Sequence, residues 1–181
     1  AGVSLVHADD LAVDGSKVHA KCKEAYEYQE GLVCIQCHTT FEGASVFNQP
    51  IGSWNTSAVA TMQSTFQDAR AFNQPVGAWK TSTVVSMQST FQSARAFNQP
   101  IGEWDTSSVT TMRSMFNGAS AFNQDLSKWN VGQVTDMDDF FHQADALSDC
   151  YKWDIHTSFE TQVPSAWPHD WGGLDTSSCP S

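Results

Sequence analysis

The sequence predicts an α/β repeat solenoid of 25-residue coils, each with a short helix and a short extended segment, closed by disulfide-stapled caps. Three observations predict it. Six series of residues recur at a constant step of 25 without insertion. Within one unit, Val59, Met62, Phe66 and Ala69 stand at helical spacing. All five cysteines lie outside the clean repeats. The predicted division is residues 1–43 as an N-terminal cap with a degenerate first coil, 44–143 as four tandem repeats, and 144–181 as a C-terminal cap.

The repeats are read from their ladders. Phe47, Phe72, Phe97 and Phe122 are each followed by Asn-Gln. Trp54, Trp79, Trp104 and Trp129 form a second series, and Met62, Met87, Met112 and Met137 a third. Val59, Phe66 and Ala44 head the remaining three. A unit this short cannot bury its own apolar face, so neighbouring units must shelter one another and these side chains become structural ladders. The Trp series is the least constrained, because Trp also serves as an exposed platform.

Thr56-Ser57 and its equivalents Thr81-Ser82 and Thr106-Ser107 precede the expected helix and can cap it, whereas Val131-Gly132 is a weaker cap. Phe72 to Trp79 reads as extended chain, kept short or bulged by Pro75. The Asn side chains are expected to satisfy backbone groups of the turns. Strands stack about 4.8 Å apart and helices need about 8–10 Å, so the stack should curve with the helices outside. A tightly wound all-β coil is the competing architecture.

The same step places Cys22, Cys34 and Cys37 one period before Phe47, Val59 and Met62, at core positions of the degenerate coil. Cys150 and Cys179 lie in the other cap. This placement points to disulfides and an oxidising, extracellular setting: Cys150 with Cys179, and Cys22 with Cys34 or Cys37. Free cysteines acting as small core hydrophobes are the alternative. A chain beginning Ala1-Gly2 also fits a processed secretory protein.

The net charge of −11 is concentrated in the flanks, at −4 and −5, leaving −2 on residues 44–143. Nucleic acid and anionic membrane surfaces are excluded as partners by the lack of a basic stripe. No apolar run approaches the eighteen or so residues that membrane insertion requires. A nearly neutral surface rich in Ser, Thr, Asn and Gln suits a sugar, ice or another protein.

Cys34-Ile35-Gln36-Cys37-His38 matches the attachment pattern of c-type haem, with His38 as axial ligand. Against that reading, the motif falls where the repeat places Val and Met. Cys22, Cys34, Cys37 and His38 would also suit zinc. Asp136, Asp138, Asp139, Asp145, Asp149 and Asp154 could hold Ca²⁺, but their spacing matches no calcium loop, and a solvated acidic face is the simpler reading. His7, His19, His142, His156 and His169 show no ligand spacing. Asn55-Thr56-Ser57 is a glycosylation sequon. No nucleophile elbow, zincin motif or phosphate-cradling loop occurs, so neither a cofactor nor catalysis is expected.

The unit from Phe97 through Trp104 and Met112 to Phe116 resembles the BspA-like surface-protein repeat, a leucine-rich-repeat-related family of bacterial, mycoplasma and microalgal proteins. The resemblance covers Ala44 to Ala146, and Leu147-Ser148-Asp149-Cys150 with Ser165-Ala166-Trp167-Pro168 resembles the C-terminal cap of algal members. It implies a leucine-rich-repeat-like fold and a secreted or surface-displayed interaction protein, and it carries over no catalytic residue. The expected function is a non-catalytic extracellular structural or adhesive module that meets protein or glycan at a cell surface, with homotypic head-to-tail assembly open to it. The alternatives are a polysaccharide- or ice-binding module using Thr61, Ser86 and Thr111 beside Gln63 and Gln88, a rank that Arg113 and Asp136 interrupt, and haem electron transfer through Cys34 and Cys37.

Overall fold

The computed structural model describes residues 4–6, 25–28, 31–34, 39–177 and 179, the first three segments as backbone. Those segments are strands β1 (Ser4–Val6), β2 (Ala25–Tyr28) and β3 (Gly31–Cys34), paired antiparallel in that order. Tyr26 lies opposite Leu5 on one side and Val33 on the other. Near the C-terminus stands one helix, α1 (Asp149–Gln162), capped by the Ser148 side chain, which accepts from the N–H of Tyr151.

From Thr39 to Leu147 the chain is a succession of turns whose hydrogen bonds run between units. The N–H groups of Met62, Ser64, Phe66 and Asp68 donate to the carbonyls of Ser86, Gln88, Thr90 and Gln92, all in the next coil. Met87, Ser89, Phe91 and Ser93 repeat this one step on, as do Met112, Ser114, Phe116 and Gly118. The intervening N–H groups fold back: Thr65 donates to Met62, Gln67 to Ser64 and Ala69 to Phe66. Thr39, Phe41 and Gly43 already donate in this register, to Gln63, Thr65 and Gln67.

This arrangement corrects one expectation. The segment Val59 to Ala69 and its equivalents form turns, not a short helix. The physical reason is spacing. Direct backbone bonding between coils fixes a separation near that of paired strands, too close for helices side by side. The stacked rings of Phe66 and Phe91 lie 5.4 Å apart. A helix is also ruled out by backbone sign. Ser64, Ser89, Ser114 and Asp139 have positive φ, as do Asp68, Ser93 and Gln143 four residues further along each coil, with Gly118 completing the second row. Each non-glycine residue there costs about 1 kcal/mol or more, which the inter-coil bonds offset.

Inside the stack lie the aromatic and methionine ladders. Phe47, Phe72, Phe97 and Phe122 follow one another at ring separations of 5.8, 6.0 and 6.1 Å. Met62, Met87, Met112 and Met137 are all buried. Trp79, Trp104 and Trp129 stack nearly parallel at 6.5 and 6.4 Å. Each indole N–H donates back to a carbonyl of the preceding coil, at Ile51, Val76 and Ile101. Trp54 is half-buried and rests against Phe41 at 5.7 Å. Gly77 is required by this closeness, since a Cβ there would stand 2.7 Å from the Pro100 oxygen.

Candidate functional site

With the interior filled by ladders, the chemistry available to a partner lies on the flanks of the stack. Thr61, Ser86, Thr111 and Asp136 are joined successively by parallel backbone bridges, so their side chains form one half-exposed line. Two residues further along each coil stand Gln63, Gln88, Arg113 and Asp138. The second line changes from amides to ions along its length. The Arg113 guanidinium lies 2.9 Å from Asp138 and 3.6 Å from Asp136. On another flank Lys128 meets Glu103 at 2.8 Å, and that contact raises the ammonium pKa above its usual value.

Polar ladders hold these lines in register. The Asn48 side-chain oxygen accepts from the N–H of Asn73, Asn73 likewise from Asn98, Asn98 from Asn123, and Asn123 from Ser148, so the Asn side chains serve the turns. Gln74, Gln99 and Gln124 add a side-chain donor to the same oxygens. The buried hydroxyls of Thr56, Thr81 and Thr106 donate to carbonyls of the following coil.

In the last coil no further coil exists to accept from a hydroxyl at this place, and Val131 stands there instead. The Gln162 carboxamide of α1 takes over, accepting from the Val131 N–H at 2.9 Å and donating to the Trp129 carbonyl at 3.1 Å. Ser158 donates to the Ser127 carbonyl beside it. Sequence reading missed Gln162 and Ser158 as closing groups. The break in the Thr series at Val131 was the available signal.

The cap behind α1 is aromatic. Phe140, Phe159 and Trp167 pack edge to face or tilted, and the Trp167 indole donates to Nδ1 of buried His156 at 2.9 Å. His169 stacks on Trp171 at 4.4 Å. Its burial, with His156 nearby, pulls its pKa down to about 4. Cys150 and Cys179 are joined by a disulfide that ties the start of α1 to the chain end.

Asn55 is exposed, with its side-chain oxygen accepting from the N–H of Ser57. Asp105 holds the equivalent turn, and bonds from Ser107 lower its pKa. Cys34 ends β3, whereas Cys22, Cys37 and His38 lie outside the described residues, and with them the haem and zinc motifs. Among the described residues no three His, Cys, Asp or Glu side chains are grouped to hold a metal ion, the C-terminal aspartates included. No described helix is long and apolar enough to cross a membrane. A polar cleft of about 380 Å³ opens between coils, lined by Arg95, Asn117, Ser120, Gln143 and Asp145 among others.

Equivalent residues aligned along one axis, with polar lines outside and ring ladders inside, define a tandem-repeat protein. The chain belongs to the family described as Mycoplasma protein of unknown function, DUF285, a BspA-like repeat family whose profile matches residues 33–104 and 76–163. No curated protein and no solved structure matches it.

Proposed function

We propose that this chain is a solenoid of leucine-rich-repeat type acting outside the cell as a non-catalytic structural or adhesive module, presenting its flank to a protein or glycan at a cell surface. The observation that carries this reading is the line Thr61, Ser86, Thr111 and Asp136, one position per coil, with Gln63, Gln88, Arg113 and Asp138 beside it. A partner with its own repeat or length can engage several coils at once, so weak contacts combine into useful avidity. The disulfide between Cys150 and Cys179 supports an oxidising compartment. Head-to-tail self-assembly is opposed by α1, which lies over Trp129 and Phe140 at the C-terminal end.

The test is binding of the purified chain to immobilised matrix proteins and a glycan array. Saturable binding is expected, weakened at least about tenfold, or about 1.4 kcal/mol, by Gln88→Lys at the centre of the line, with thermal stability unchanged. Retention of no protein or glycan above background would remove the reading. The three consecutive hydroxyls of Thr61, Ser86 and Thr111 favour one second reading, an uncharged polysaccharide or ice as ligand. Sedimentation with insoluble polysaccharides and a thermal hysteresis measurement decide it, and Arg113→Thr should strengthen either response.

A further inference from the structure

We propose that the polar cleft around Ser120 binds a uronic acid unit of an acidic glycan, with Arg95 holding the carboxylate and the neighbouring amides and hydroxyls the ring. The cleft arises where one short motif changes from coil to coil. Asp68-Ala69-Arg70 becomes Ser93-Ala94-Arg95, then Gly118-Ala119-Ser120, then Gln143-Ala144-Asp145. The alanine of every copy is buried, which keeps the four in register. In the first copy Arg70 pairs with Asp68 at 3.5 Å. Serine replaces that aspartate in the second, and among the described residues no carboxylate pairs with Arg95. The third copy has no long side chain. Gly118 and Ser120 leave open a space of about 380 Å³, which Arg95 and Asp145 line from the coils before and after. The side chains of Arg95, Asn117, Gln143 and Asp145 hold no hydrogen bond to a described residue, and Ser120 donates one long bond of 3.5 Å to the Arg95 carbonyl.

The chemistry of this lining selects the ligand. A guanidinium takes a carboxylate through two parallel hydrogen bonds. Every side chain of the lining is polar, so an apolar acid finds nothing to pack against. Asp145 accepts from hydroxyls and repels a second anion. A densely sulfated or phosphorylated ligand is therefore opposed here, as it is by the net charge of −11. Arg95 and Asp145 stand two coil steps apart, and the Phe91, Phe116 and Phe141 rings of the same coils follow at 5.7 and 5.5 Å. The two charges of a free amino acid lie too close together to reach both. A sugar acid presents its carboxylate at one side of a ring and hydroxyls at the other. The volume falls at the lower end of the range for small-molecule sites, about 300–1,000 Å³, and suits a sugar unit better than a long segment.

The inference goes beyond the line of Thr61, Ser86 and Thr111. The cleft shares no residue with it, so binding at one surface can fail while the other holds. The test uses the full isotope-labelled chain, titrated with trigalacturonate and with its fully methyl-esterified form, which keeps the shape and loses the charge. With trigalacturonate the amide signals of Arg95, Gly118 and Ser120 should shift saturably, and the ester should bind at least about tenfold more weakly. Ser93→Asp rebuilds the ion pair of the first copy, and Asp68 and Ser93 share a φ of 57°, so the backbone accepts it. That variant and Arg95→Gln should each weaken trigalacturonate at least about tenfold with the melting temperature unchanged. The proposal is overturned if those amides ignore trigalacturonate at millimolar concentration, if the ester binds equally, or if binding survives Ser93→Asp. It is also overturned if acetate or inorganic phosphate reproduces the shifts at the same concentration, which would reduce the cleft to a site for any small anion.

Discussion

The side-chain oxygen of Asn98 takes two donors from the following coil, the N–H of Asn123 at 2.9 Å and Nε2 of Gln124 at 2.8 Å. Asn98→Ala removes the single acceptor of both bonds and strands the partly buried N–H of Asn123. The expected loss is about 1–3 kcal/mol in urea unfolding, with the fold retained. His169 supplies a pH dependence at the same scale. Its folded pKa of about 4 lies below the ordinary value of 6.5, so the native state holds the ring neutral. Between those values the unfolded chain binds the extra proton. Stability is therefore full above about pH 6.5, falls as pH drops toward 4, and loses nothing further from this group below that. Allowing for the ring's partial exposure, the loss is about 1–2 kcal/mol. Melting curves between pH 7 and pH 4 should show it, and His169→Phe should flatten the profile across that window.

At the scale of elements, α1 closes the stack through the Gln162 carboxamide and the Ser158 hydroxyl, and a disulfide ties its start to Cys179. Gln162→Ala leaves the Val131 N–H and the Trp129 carbonyl unpaired and should cost about 1–3 kcal/mol. Cys150→Ser opens a loop of sequence separation 29 and should cost about 2–4 kcal/mol in denaturant melts. The two losses should be less than additive if each lets α1 lift from the same coil.

Which elements could be read beforehand has a physical basis. The ladder residues and the service of Asn to the turns were legible, because a fixed step forces equivalent side chains into equivalent places. The turns were not. Apolar spacing of three, four and three fits a helix, and it fits overlapping turns with a left-handed residue at two places per coil equally well. The distinguishing signal was the small or polar row Ser64, Ser89, Ser114 and Asp139 together with Gly43, Asp68, Ser93 and Gly118, residue types that tolerate positive φ or take local hydrogen bonds. The helix α1 was hidden because only Ile155, His156 and Phe159 of it are buried, too few to impress a period on the sequence. The lines on the flank were visible as residues. Their straightness depends on the backbone bridges and could not be read from residue types.

For the whole molecule, stability is a sum over coils and their contacts with neighbours. Deleting one period, residues 87–111, brings Met112 into the place of Met87 and preserves every ladder. Such a chain should fold, with a lower melting temperature and a smaller denaturant dependence. Deleting 24 residues across the same region shifts the alternation of onward and backward N–H groups by one and should not give a cooperative fold. Circular dichroism melts of the two deletions separate these outcomes.

The onward-pointing amides of the turn region give that side of the stack an electrical sense. Column after column, from Met62 to Gly118, their N–H ends face the C-terminal end. The positive pole of these summed dipoles falls at residues 137–143, where Asp136, Asp138 and Asp139 stand, just as carboxylates gather at the first turn of a helix. Units inserted in the middle would lengthen the array and leave its terminal compensation in place. A chain trimmed back to Gly118 would keep the dipoles and lose the carboxylates that answer them.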